Sequence, residues 1–151
     1  MARKMSAGAM RDLAKWARAT VNQFPFLSLA RAHLLARIAV ALFFALHAIV
    51  RIMNGSIPRF AAFMESVGFP DGTVTVWAIT VAELVASAML IAGVRVRAAT
   101  GVLMAIAIGG IVLIHRHIGW FVGEHGTGGS EYSVALIVLL VVVGAADPKA
   151  S

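Results

Sequence analysis

Five side chains that can carry a charge or a proton stand inside, or at the rim of, otherwise apolar segments: His47, Arg51, Glu83, His115 and Glu131. His47 and Arg51 are four residues apart, so a helix places them one turn apart on one face. Glu83 sits near the middle of its segment, where a carboxylate is costly and as a rule faces inward with a partner. Imidazole, guanidinium and carboxylate together offer donors for a carbonyl oxygen and groups that take up and release a proton. That chemistry suits the headgroup of a quinone, with Trp120 and Phe121 as apolar walls. The same residues also fit a buried ion pair of Arg51 with Glu83, aided by His47 and Glu131, that fixes helix register. His47 and His115, on different helices toward one side, would alternatively be the axial ligands of a haem.

The segment His115 to Ser133 adds His117, Glu124 and His125 among several glycines. His115 and His117 are two apart, so a helix sends them to different faces and they make poor joint ligands. Zinc sites show closer ligand pairing and a supporting shell, so no metal is assigned. A polar hairpin is expected instead. Gly126, Gly128 and Gly129 allow tight turns, and Trp120 and Tyr132 anchor it at the membrane interface.

These residues are positioned by long apolar elements. Of the 151 residues 60% are hydrophobic and 13% charged, about half the charged fraction of soluble domains. Ile38 to Val50, Ala98 to Ile114 and Tyr132 to Ala146 contain no Asp, Glu, Lys or Arg. A spanning helix needs about 20 mostly apolar residues. Four are predicted, over 34–53, 74–91, 98–118 and 131–146. The expected fold is all-α, an integral membrane four-helix bundle. Cysteine is absent, which excludes disulfides, thiolate metal sites and a dithiol relay in this chain.

The net charge of +6 reports topology rather than nucleic-acid binding. Arg3, Lys4, Arg11, Lys15, Arg18, Arg31, Arg37, Arg95, Arg97 and Lys149 fall on one side of the four spans, and only Arg51, Arg59 and Arg116 on the other. The positive-inside rule then places both termini in the cytoplasm, in a bacterial inner (plasma) membrane. Residues 1–30 form a separate basic segment before the domain of 31–151. Arg11, Asp12, Lys15, Arg18, Asn22 and Gln23 interrupt its apolar character, unlike a signal peptide. Met10, Leu13, Ala14, Ala17 and Val21 recur at helical spacing, opposite the basic residues. That pattern predicts an N-terminal amphipathic helix on the membrane surface, or else a disordered basic tail. Phe24-Pro25-Phe26 would turn the chain into the bilayer.

Between the first two spans, Ser56 and Pro58 are placed to begin a short helix. Its apolar stripe would be Phe60, Phe63, Met64 and Val67, lying on the outer surface. Helices in lipid approach through small residues. Ala78, Ala82 and Ala86, Gly101, Ala105 and Gly109, and Ala41 with Ala45, offer such rows.

An ordered set of short motifs resembles the DoxX family. Leu46-His47-Ala48-Ile49-Val50-Arg51 stands where that family has a His-Gly and then a Lys. Phe63 to Pro70 resembles its loop ending in Gly-x-Pro. Ala82-Glu83-Leu84 and Ile91-Ala92-Gly93-Val94-Arg95-Val96-Arg97-Ala98-Ala99 resemble its second helix and basic turn. Gly119-Trp120-Phe121, Gly128-Gly129-Ser130-Glu131-Tyr132-Ser133 and Asp147 resemble its end. The likeness runs over residues 34 to 147. Ala48, Arg51 and Ala145-Ala146 depart from the family's Gly, Lys and glycine, although Arg51 keeps the charge.

The resemblance implies a small four-helix membrane protein, related to the membrane subunit of thiosulfate:quinone oxidoreductase. It implies partners among other membrane subunits of a respiratory or redox complex, or self-association, with the lipid bilayer as the common environment. The expected function is an anchoring or stabilising subunit, not catalytic by itself, that contributes His47, Arg51, Glu83, His115, Trp120 and Glu131 to a quinone pocket. A free-standing quinone-linked oxidoreductase component and a small-solute or proton transporter built on Glu83 are the alternatives.

Overall fold

The computed structural model describes residues 7–21, 23, 26–121 and 128–147. Among them the only regular elements are helices: α1 (Ala7–Val21), α2 (Leu29–Met53), α3 (Ile57–Ser66), α4 (Gly72–Ala92), α5 (Val96–Leu113) and α6 (Glu131–Ala145). The chain divides into two compact units, Met1–Ala32 and His33–Ser151. The first contains α1, whose described side chains are exposed. The second contains α2 from His33 onward, α3 to α6 and every residue of the candidate site.

Three segments are long and apolar enough to cross a membrane: Leu29–Met53, Gly72–Ala92, and α5 with the turn after it, Val96–His117. α6 is a fourth apolar helix, of 15 residues. α2 begins five residues before the predicted start, because Leu29 to Leu35 carries no helix breaker and continues the same backbone. α5 ends earlier than predicted. After Gly109-Gly110, a weak pair for helix propagation, Ile114 leaves helical geometry and His115–His117 form one tighter 3-10 turn.

Consecutive helices pack directly: α3 on α4, α4 on α5, and α5 on α6. α2 stands further off and joins through side chains. Val40, Ala41 and Phe44 of α2 enter a buried core with Ala86, Leu90, Val96, Ala99, Leu103, Ala107, Leu140 and Val143. A second, smaller core of Ile57, Ala61, Met64 and Val76 seats α3 on α4.

Two close approaches hold these seams. At Gly72 a Cβ would collide with the Ala61 carbonyl, so only glycine lets α4 start beneath α3. At Gly144 a Cβ would lie 2.8 Å from Thr100 Oγ1. The small-residue row expected on α5 is not its packed face: Gly101 and Gly109 have nothing within 4 Å of a built Cβ. Ala86 and Ala41 are buried as expected, whereas Ala78 and Ala105 are exposed.

α3 forms where Ser56 and Pro58 predict it, but Ser56 does not cap it. Its hydroxyl donates instead to the Arg51 carbonyl, 3.1 Å away. The buried stripe is Ile57, Ala61 and Met64, with Phe60 and Phe63 packed alongside. Val67 lies past the end of the helix and is exposed. α4 starts with a proper cap: Asp71 accepts from the Val74 N–H at 2.9 Å.

Candidate functional site

The centre of the site is an ion pair between two helices. Arg51, in the last turn of α2, and Glu83, in the middle of α4, are 8% and 2% exposed. Arg51 Nη1 lies 2.7 Å from Glu83 Oε2. The same nitrogen donates to Thr80 Oγ1 at 2.8 Å, and Thr80 donates onward to the Val76 carbonyl at 2.7 Å. The guanidinium carbon sits 5.5 Å from the centre of the Phe60 ring, a favourable place for a cation over the ring face. Each charge thus meets the requirement that a buried ion be paired and hydrogen-bonded.

Thr80 and Phe60 belong to this site although sequence reasoning passed over them. Thr80 precedes Glu83 by three residues, hence lies on the same face of α4, and is an oxygen in an apolar segment. That spacing was the available signal. Phe60 was assigned to an apolar stripe, and nothing in the sequence says that its ring meets Arg51.

The pair forms the floor of a large cleft, about 1360 Å³, between α2 and the packed helices. The stand-off of α2 creates it. His47, one turn before Arg51, and His115, after α5, line the same space. His47 is within electrostatic reach of Glu83, Arg51 and His115. The His115 ring lies back along α5, where a Cβ at Gly110 would stand 3.7 Å from its Cδ2 and Nε2. Its Nδ1 is buried without a hydrogen-bond partner among the described residues. Apolar walls come from Phe44, Phe60, Phe63, Phe69, Ile106 and Leu136. Phe43 and Tyr132 meet edge-on at 6.3 Å and tie α2 to the start of α6.

Four of the six residues expected at a pocket therefore converge: His47, Arg51, Glu83 and His115. Trp120 and Glu131 do not line the cleft. They are joined to each other by backbone, the Glu131 N–H donating to the Trp120 carbonyl at 3.0 Å, and Ser130 N–H donates to Gly119 at 3.0 Å. This short ladder joins residues 119–120 to residues 130–131. It is so close that a Cβ at Gly129 would meet the Trp120 and Phe121 carbonyls. The Trp120 ring is exposed, as is that of Phe121, the other expected wall. Glu124, His125 and Gly126 lie outside the described residues. Among those described, no three His, Asp or Glu side chains gather as a metal site would require.

The cleft offers donors at its floor, imidazoles at its sides and an apolar lining above. An apolar cavity with a few convergent polar groups is the usual form of a small-molecule site. Only Nη1 of Arg51 is engaged by protein groups among the described residues, which leaves further guanidinium N–H donors for a ligand.

Helix composition and burial together define a multi-helix integral membrane protein with a charged interhelical centre. The DoxX family model matches residues 32–116. That is more than half of the chain, and the protein belongs to the DoxX family. The matched segment runs from α2 through the turn after α5 and contains His47, Arg51, Glu83 and His115. No curated protein and no solved structure matches the chain.

Proposed function

We propose that this protein is a small integral subunit of a membrane redox complex and that its cleft receives a quinone headgroup. The observation that carries the proposal is the joining of an apolar cleft of about 1360 Å³ to the polar floor of Arg51, Glu83 and Thr80, with His47 and His115 beside it. A quinone needs hydrogen-bond donors at its carbonyl oxygens, which Arg51 and the imidazoles supply. It needs proton acceptors and donors on reduction or oxidation, which the histidines and Glu83 supply. Its isoprenoid tail needs an apolar exit, which the gap beside α2 supplies.

In this proposal α6 is the fourth span, both termini are cytoplasmic, and α1 lies on the inner surface of a bacterial plasma membrane with its basic side toward anionic headgroups. The first 30 residues act apart from the bundle of 31–151. The chain has no cysteine and hence no thiol relay of its own; in this proposal a partner subunit carries the electrons to or from the quinone.

The test is purification from native membranes in mild detergent, followed by native-gel sizing, mass spectrometry and quinone extraction. A redox subunit at fixed ratio and a retained quinone are expected. A short-chain quinone titrated onto purified protein should bind at least about tenfold more weakly to Glu83→Gln and to His115→Phe, as loss of a hydrogen-bonding group in a buried site predicts. A protein that runs alone, carries no quinone and binds none sinks the proposal.

The geometry of the pair also favours a second function, as a clamp. Arg51 and Glu83 already satisfy each other, with Thr80 and Phe60 in support. If Glu83→Gln lowers thermal stability and leaves quinone affinity unchanged, the pair is the clamp alone.

A further inference from the structure

At the opposite end of the bundle stands an arginine with no counter-ion among the described residues. Arg37 precedes Arg51 by fourteen residues on α2, about 21 Å along the helix axis. Its side chain is half-buried, and its Nε is buried without a hydrogen-bond partner. The guanidinium lies over Gly93, where a Cβ would stand 3.0 Å from Nη1 and 3.2 Å from Nη2. Glycine at this point makes the room that the guanidinium occupies.

Two ordinary uses of such an arginine do not account for it. The first is capping the last carbonyls of α4. Gly93, at φ 68°, already closes that helix: its N–H donates to the Leu90 carbonyl, and that of Val94 to the Met89 carbonyl. Arg37 donates to no described group. The second is reaching out to water along the helix surface, as long cationic side chains do at membrane boundaries. Arg37 instead lays its guanidinium across the α4–α5 turn at Gly93, with Nε buried. Among the described residues the one salt bridge is that of Arg51 with Glu83. Asp147, after α6, has interactions of its own.

The turn beneath Arg37 adds charge of the same sign. Arg95 and Arg97 follow Gly93 by two and four residues, and both are exposed. Arg95 is held at φ 46°, a left-handed conformation unusual for a residue with a side chain. His33, one turn before Arg37, is occupied by the Val143 carbonyl at 3.2 Å. Exposed Leu34, Ile91 and Val94, close in sequence to these arginines, offer apolar surface at the same level.

We propose that this end of the bundle holds the phosphate of an anionic phospholipid, with Arg37 as the main ligand and Arg95 and Arg97 in support. The planar guanidinium fork matches two phosphate oxygens, and basic pockets between membrane helices favour anionic headgroups. The acyl chains then lie along the apolar surface of α2 and α4. In the orientation proposed above, the lipid belongs to the cytoplasmic leaflet. The site does not depend on the quinone cleft, about four helical turns away.

The full chain in mild detergent is examined by native mass spectrometry. Wild type should retain about one phosphatidylglycerol per chain, and Arg37→Gln about tenfold less, as loss of a charge-assisted hydrogen bond predicts. Glu83→Gln should retain the lipid, which separates this site from the cleft. Delipidated wild type is then melted with short-chain phosphatidylglycerol, phosphatidylcholine or inorganic phosphate. Only phosphatidylglycerol should raise the melting temperature, and Arg97→Gln should require about fivefold more of it. Equal retention by Arg37→Gln, or equal protection by phosphatidylcholine, overturns the proposal. Protection by inorganic phosphate alone makes this a free-anion site and overturns the lipid assignment. If Arg37→Gln cannot be purified, the wild-type melts and Arg97→Gln decide the matter.

Discussion

The two halves of the bundle solve the same problem differently. Toward Arg37, the helices meet in a closed apolar core in which Leu90, Leu103, Leu140 and Val143 are fully buried. Toward Arg51, α2 stands away, and one ion pair bridges the gap at the floor of an open cleft. In lipid, apolar side chains gain little by touching one another rather than acyl chains, so close packing and polar contacts decide which helices associate. α2 is held by close packing in the first half and by a charge pair in the second. An opening that admits a ligand is compatible only with the second, because a dense core has no room to yield.

The largest effect expected from breaking this contrast is on the charge pair. Glu83→Ala strands Arg51 in a buried position and should cost about 3–5 kcal/mol, seen as a lower melting temperature in detergent. The double replacement Arg51→Met with Glu83→Leu should recover most of that loss, since no charge is then buried alone. If the double variant is as unstable as the single one, the bridge is more than a satisfied pair.

Leu103→Ala and Ile106→Ala compare the halves directly. Both residues are on α5, but Leu103 is fully buried in the core and Ile106 lines the cleft. The first should cost about 2 kcal/mol or more through the cavity it leaves, the second under about 0.5 kcal/mol. Equal losses in thermal melts would mean that the cleft is closed by packing.

The smallest test concerns the seam between α5 and α6. Gly144→Ala brings a Cβ against Thr100 Oγ1 and should cost about 1 kcal/mol. Thr100→Ala should relieve it when added, because the crowded atom is then gone. Failure of that rescue in a double-mutant cycle would place the strain in the backbone.

Much of this was legible in the sequence, for physical reasons that differ by residue. Charge-free runs located the apolar helices because the bilayer excludes charge. Arg51, Glu83, His47 and His115 stood out because ionisable groups in such runs must find partners. Gly72 and Gly144 were not legible as contact points, since a close approach depends on which surfaces meet and not on the residue alone. Gly101 and Gly109, in a more conspicuous row, are open. Trp120 and Glu131 carry suitable chemistry, but their place follows from the backbone pairing of 119–120 with 130–131, which helical periodicity does not specify. Ser56 had the right type for a cap, yet the Arg51 carbonyl competed for its hydroxyl.

The stand-off of α2 also bears on the order of assembly. α3, α4 and α5 each pack on the helix that follows, so these contacts join neighbours in the chain. α2 is made before all of them, yet Arg51 and Glu83 are 32 residues apart and His33 and Val143 are 110 apart. Arg51 therefore enters the bilayer before its counter-ion exists. Its place in the last turn of α2 lets the guanidinium reach the headgroup region in the meantime. The wall that α2 gives the cleft is therefore held by partners that lie far along the chain from it.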